Sequence, residues 1–279
     1  MGRRTSRTPS LRVELTDDAP IVRSRPDTVA VEEPLEIRVG GTTLTTTMRT
    51  PGDDFELTLG WLLGEEAIPD ARSVSTMMHC TDVDESGSPT YNVVQVSLRA
   101  GTSLTPGVSA RSHVTTSACG VCGSESIDAI MKAGRHDLTA DDTPVRPEVL
   151  ASLVDEMRTH QVGFDQTGGV HAAALFTPEG ELLCLREDIG RHNAVDKVLG
   201  WAAKEGLRPG TGQILLVSGR AGFELVQKCV LAGIPVMAAV SAPTSLAVEL
   251  AKRSGLTLVG FLRPPKFTVY SGSYRLGID

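Results

Sequence analysis

The chain has 279 residues, with 27 Lys and Arg against 34 Asp and Glu, for a formal net charge of -7. Its hydrophobic fraction of 41%, near-zero mean hydropathy and lack of a bilayer-length apolar run exclude a helical membrane protein. The acidic balance argues against general nucleic-acid binding, and five cysteines without framework spacing fit a reducing cytoplasm rather than a disulfide-built secreted domain.

A chain of this length buries one large core or two smaller ones, and two domains are expected. Residues 1–10 are locally basic through Arg3, Arg4 and Arg7 and are expected to form a disordered tail. Met1-Gly2-Arg3-Arg4-Thr5-Ser6 matches a myristoylation pattern and contains a twin arginine, but no apolar signal core follows, so both matches are set aside.

Residues 11–110 read as a β-rich domain. Leu35-Glu36-Ile37-Arg38-Val39 alternates, Gly40-Gly41 turns, and a Thr-rich run from Thr42 to Thr47 follows, which is a hairpin pattern. Thr50-Pro51-Gly52-Asp53-Asp54 opens a helix with Phe55, Leu59, Leu62 and Leu63 at helical spacing and acidic residues in its first turn. Val74 to Val83 and Tyr91 to Leu98 are expected strands around a turn at residues 84–89.

Residues 111–123 are expected to form a mobile loop containing Cys119-Gly120-Val121-Cys122-Gly123, with small residues around both thiols and a helix expected from Ser124 to Lys132. A thiolate is stabilised near a helix N-terminus, and glycines at 120 and 123 admit a bulky partner. Three chemistries fit the pair: half of a zinc site, a thiol–disulfide centre, or a sulfur relay. Structural zinc takes four ligands, while Cys80, Cys184 and Cys229 stand singly, so no structural metal is expected. A thioredoxin-like centre would follow a strand directly, and Thr115-Thr116-Ser117-Ala118 is short and polar. Sulfur relay is the preferred reading, with Cys119 and Cys122 as its reactive groups.

Residues 124–279 have an α/β texture. A helix carries Leu150, Leu153, Val154 and Met157 on one face, and strands are expected at residues 167–176 and 181–185 around Thr177-Pro178-Glu179-Gly180. The polar cluster Arg186-Glu187-Asp188-Ile189-Gly190-Arg191-His192-Asn193 leads into a helix and reads either as pocket wall or as a buried network between domains. Apolar strands at 214–217, 235–240 and 256–261 alternate with helices at 223–232 and 245–252, implying a parallel sheet covered on both faces.

Loops leaving the carboxyl ends of such strands share one edge, where ligands bind. Here they are Ser218-Gly219-Arg220, Ser241-Ala242-Pro243-Thr244 and Leu262-Arg263-Pro264-Pro265-Lys266, with free N–H groups at two helix starts and positive charge from Arg220, Arg263 and Lys266. An anionic ligand is expected there, with His171 and His192 as candidate lining residues.

Together, Met48-Arg49-Thr50-Pro51-Gly52-Asp53-Asp54, the Cys119 to Gly123 run, Thr167-Gly168-Gly169-Val170-His171, the run from Arg186 to Lys197 and Val217-Ser218-Gly219-Arg220 resemble the formate dehydrogenase accessory sulfurtransferase family, FdhD. The resemblance implies a cytidine deaminase-like α/β C-terminal domain, a smaller β-rich N-terminal domain and a homodimer in the cytoplasm. It implies that persulfide sulfur is accepted from a cysteine desulfurase and delivered to the bis(molybdopterin guanine dinucleotide) cofactor of formate dehydrogenase. The alternative is a chaperone that carries this cofactor without moving sulfur. The persulfide maps onto Cys119, and the cofactor segment onto Phe261, Leu262, Arg263, Pro264, Pro265 and Lys266, where the proline pair departs from the family's glycine-bearing version. Deaminase chemistry is not implied, since His171-Ala172-Ala173 and Ala118-Cys119 lack that motif's Glu and Pro.

Overall fold

The structure, a computed structural model, describes residues 3–80, 83, 90–106 and 136–278. Cys119, Cys122, the helix expected at 124–132 and the turn at 84–89 lie outside the described residues. Among the described residues, no helix is long and apolar enough to cross a membrane.

Four short strands open the chain: β1 (Thr5–Thr8), β2 (Leu11–Glu14), β3 (Ile21–Ser24) and β4 (Asp27–Ala30). β1 pairs antiparallel with β4, and β2 with β3. Residues 5–8 of the basic segment expected to be a disordered tail form β1, each with a ladder partner on β4.

A four-stranded sheet follows, in the order β6-β5-β8-β7, from β5 (Glu33–Val39), β6 (Thr42–Arg49), β7 (Val74–His79) and β8 (Val93–Leu98). The alternation read from the sequence buries Leu35, Ile37 and Val39. Leu35 and Val39 share a core with Val94, Val96 and the apolar face of α1 (Asp54–Gly64). Leu57, Leu62 and Leu63 of that helix are buried there.

The second half contains α2 (Pro147–Thr159), α3 (Val162–Thr167), β9 (His171–Phe176), β10 (Leu182–Asp188) and α4 (Arg191–Lys204). It continues with β11 (Ile214–Val217), α5 (Phe223–Leu231), β12 (Val236–Ala239), α6 (Ser245–Ser254), β13 (Thr257–Arg263) and β14 (Lys266–Ser271). Its six-stranded sheet has the order β10-β9-β11-β12-β13-β14. Only β11, β12 and β13 are mutually parallel, so the expected parallel sheet is corrected to a mixed one, with β9, β10 and β14 antiparallel to their neighbours. Strand alternation divides its core between the two faces. Leu215, Val217, Met237 and Ala239 pack with residues of α4, α5 and α6, whereas Ile214, Leu216, Val236 and Ala238 pack with Leu150, Leu153 and Met157 of α2.

Two further boundaries differ from expectation. Thr167 ends helix α3 instead of beginning a strand, and Gly168 closes that helix at φ +64°. Arg186, Glu187 and Asp188 are the last residues of β10, because each has a ladder partner on β9. The Glu187 carboxylate accepts from the Gly163 and Phe164 N–H groups at 2.6 and 2.8 Å.

The halves meet through α1 and α4, whose closest approach is made by glycines. A methyl group placed on Gly60 would lie 1.8 Å from the Asp196 carbonyl oxygen, and one on Gly200 1.9 Å from the Glu56 carbonyl oxygen. Only glycine allows this approach.

Candidate functional site

Because β9 runs antiparallel to β11, the start of β9 lies at the carboxyl end of β11, and the end of β10 lies beside the start of β9. This brings His171, the N-terminus of α4 and the three strand-end segments to one edge. Backbone bonds join those segments: the Ser241 N–H donates to the Gly219 carbonyl at 3.3 Å and the Phe261 N–H to the Ser241 carbonyl at 3.1 Å. Arg263 Nε donates to the Val240 carbonyl at 3.2 Å. A methyl on Gly219 would stand 3.4 Å from His171 Nδ1 and 3.8 Å from Arg191 Cδ, so the first segment runs against both side chains.

The edge is cationic and rich in backbone donors. Arg220, Arg263 and Lys266 are exposed and Arg191 is half-buried. Gly190 and Gly222 are the N-caps of α4 and α5, and neither helix start has a side-chain cap. An uncapped N-terminus directs N–H groups and the positive end of the helix dipole outward, which suits phosphate. α6 differs, since Thr244 Oγ1 accepts from the Ala247 N–H at 3.4 Å and caps it.

Several expected site residues serve other roles. The Ser218 N–H donates to the Ala172 carbonyl and its hydroxyl accepts from the Ala172 N–H, both at 2.9 Å, so Ser218 extends the β9–β11 ladder. Leu262 is fully buried in the core between the sheet and α2, which removes its side chain from the edge. Arg263 and Lys266 face each other as the last ladder pair of a β13–β14 hairpin turned by Pro264-Pro265, so the expected loop is mostly strand. Phe261, two residues before Arg263 in the chain, keeps 42% of its surface exposed at φ +51°.

His192 Nε2 lies 2.7 Å from Glu224 in the first turn of α5. That contact holds the Glu224 carboxyl below its ordinary pKa. Glu224 is not legible in the sequence as a site residue, because an acidic residue in a first helical turn has an ordinary dipole role. Burial, reinforced by the Arg191 charge, holds His171 below its ordinary pKa, so it is neutral at pH 7.

The rest of the polar cluster is a network between the halves. Asp188 accepts from Gly190 N–H at 2.9 Å, Asn193 Nδ2 at 3.0 Å and Thr50 N–H at 3.1 Å, and pairs with Lys197 Nζ at 2.8 Å. Asn193 Nδ2 also donates to the Met48 carbonyl at 2.7 Å, and Lys197 to the Thr50 carbonyl at 2.9 Å. The Thr50 segment is itself fixed by Arg49, which is buried and pairs with Asp54 and Glu33, both at 3.1 Å. Of the two readings of the cluster, Asp188, Asn193 and Lys197 belong to the network, while Arg191 and His192 belong to the edge.

The described cysteines divide by burial. Cys184 and Cys229 are buried; burial pushes the Cys184 thiol up to about 12 and raises that of Cys229 as well. Neither is a thiolate at neutral pH. Cys80 is half-exposed just after the end of β7.

The chain matches the family model described as the FdhD/NarQ family over residues 30–277. It is 53% identical over 281 residues to a Streptomyces avermitilis protein named sulfur carrier protein FdhD, covering 100% of this chain and 98% of that one. A protein of the same name from Nocardia farcinica is 53% identical over 252 residues, 90% of this chain and 89% of its own. The fold is similar to the crystal structure of a Desulfotalea psychrophila protein described as a putative formate dehydrogenase accessory protein, with TM-score 0.74, 24% identity, and coverage of 97% of this chain and 99% of that chain.

Proposed function

The chain belongs to the FdhD/NarQ family, and from that membership we propose that it is a sulfurtransferase: it receives persulfide sulfur on Cys119 from a cysteine desulfurase and passes it to the bis(molybdopterin guanine dinucleotide) cofactor destined for formate dehydrogenase. The relatives' name, sulfur carrier, supports the first half of this reading. The second half is carried by one observation: Arg191, Arg220 and Arg263 share a sheet edge with two uncapped helix N-termini, which suits the phosphates of a nucleotide-bearing substrate. Exposed Phe261 adds a stacking surface for a guanine base. In this reading the C-terminal half is a cytidine deaminase-like scaffold without deaminase ligands, and the protein acts as a cytoplasmic homodimer.

The Cys119 thiolate attacks the terminal sulfur of the donor persulfide, the donor thiolate leaves, and Cys119 becomes the persulfide with no net oxidation. Delivery of that sulfur as sulfide requires two electrons. Attack of the Cys122 thiolate on the Cys119 sulfur supplies them and leaves a Cys119–Cys122 disulfide, which a cellular thiol reductant reopens. The buried, protonated thiols of Cys184 and Cys229 are unsuited to this chemistry, which supports assigning it to the spaced pair.

A reconstituted sulfuration assay tests the division of roles. The double variant C119S/C122S is expected to retain cofactor binding and lose sulfur transfer, whereas R220A and R263A weaken cofactor binding. Undiminished sulfuration by C119S/C122S, with dependence only on the edge arginines, would make the protein a cofactor carrier instead.

A further inference from the structure

Helices α4 and α5 cover the same face of the six-stranded sheet. Both start at the cationic edge, because β10 and β11 run in one direction and end there. The first turn of each helix leaves N–H groups without intrahelical partners, and neither start has a side-chain cap. Among the described residues, Arg191 Nε is also buried and makes no hydrogen bond. A buried guanidinium donor is ordinarily bonded, so this place holds more donors than the chain's own acceptors use.

What faces these donors is a carboxylate. Glu224 Oε2 lies 2.7 Å from His192 Nε2, joining the first turn of α5 to that of α4, with the two side chains 37% and 22% exposed. The contact with His192 comes first in holding the Glu224 carboxyl below its ordinary pKa, against burial, and the charges of His192, Lys228 and Arg191 add to it. A first-turn acid meets a favourable dipole without leaving its own helix, so helix stability does not account for a contact that crosses to a second one. The neighbouring carboxylates are already committed, Asp188 to Lys197 and Asp196 to Lys228. His171, which the Arg191 and His192 charges also reach, is neutral at pH 7.

A carboxylate and a phosphate group ask for the same surroundings, convergent donors and positive potential, but the phosphate brings more oxygens and more charge. Resting on the cofactor reading above, we propose that one phosphate group of the substrate binds between the starts of α4 and α5, on His192 Nε2, the Arg191 guanidinium and first-turn N–H groups, in the place now held by the Glu224 carboxylate. Glu224 is then a built-in competitor. It turns outward, where more than a third of its side chain already lies, and His192 passes from carboxylate to phosphate. The sign of its effect follows: the Glu224 charge opposes the ligand, whereas a residue that only oriented His192 would assist it.

Isothermal calorimetry of the full-length chain with inorganic pyrophosphate tests this. E224Q keeps the size of the side chain and removes its charge. It is expected to bind pyrophosphate roughly tenfold more tightly than the wild type, since a like charge at the subsite is lost. H192Q is expected to bind roughly tenfold more weakly, and E224Q/H192Q to show less than the full E224Q gain, because the two side chains act at one place. E249Q removes a negative charge from the exposed side of α6 and is expected to leave binding within about twofold, which separates a local effect from net charge. Pyrophosphate binding that E224Q leaves unchanged or weakens, or that E249Q strengthens as much, would overturn the proposal and leave the cofactor reading standing. Absence of pyrophosphate binding in the wild type and in E224Q alike would overturn both.

Discussion

Asp188 has no exposed surface, and its carboxylate is held by one cation and three donors drawn from both halves of the chain. Removing the cation leaves that charge buried with too few partners, so Lys197→Ala is expected to cost about 3–5 kcal/mol in urea unfolding. A loss below about 1 kcal/mol would show that Lys197 does not neutralise Asp188. His171 gives a pH signature. Its folded pKa lies below the ordinary 6.5, so as pH falls from 6.5 through the folded midpoint the unfolded chain takes up the proton first and stability declines. Proton NMR is expected to place the His171 midpoint below 6.5, and His171→Gln to flatten that part of the stability profile; a midpoint above 6.5 would contradict the assignment. The sequence presents Asp188, Arg191, His192 and Asn193 as one cluster and does not separate them. Lys197, fully buried one turn beyond Asn193, has the appearance of a solvated helix charge until the Thr50 carbonyl is seen to accept from it. Ser218 and Leu262 fall within the expected site because position at a strand end does not reveal whether a group is already bonded or turned inward.

At the scale of elements, apolar runs and helical periodicity make β11, β12, β13, α5 and α6 legible to within a few residues, whereas β14, a partly exposed edge strand, is not read from the sequence at all. Strand direction is not legible either, because nothing local in β9 records that it runs against β11. That reversal brings His171 to the ligand edge. Nor does the sequence reveal the α1–α4 crossing, since Gly60 and Gly200 are ordinary small residues until the opposing carbonyls are placed. Gly60→Ala and Gly200→Ala are each expected to force these helices apart and destabilise the protein by about 1–3 kcal/mol, read as a lower Tm. An unchanged Tm for both would contradict the close crossing. Lys228 of α5, 2.8 Å from Asp196 of α4 and 3.3 Å from Glu65, anchors the same junction.

For the molecule as a whole, the mixed α/β fold and the family are legible because motifs spread across the chain occur in one order, from Arg49 to Arg220. Strands from Leu11 onward are legible as short alternating stretches, but β1 is not: Thr5-Ser6-Arg7-Thr8 has little apolar pattern, and its ordering depends on pairing with β4. A cationic sheet edge and sulfur chemistry at the spaced cysteine pair make up the proposed activity, and its central claim is the identity of the sulfur-bearing atom. The direct test is intact-protein mass spectrometry after incubation with a cysteine desulfurase and cysteine, followed by peptide mapping under non-reducing conditions. The expected result is a gain of one sulfur on the peptide spanning Cys119 and Cys122, assigned to Cys119 and absent from C119S. No gain in folded, reduced protein with an active desulfurase, or a sulfur mapped to Cys80, would contradict it.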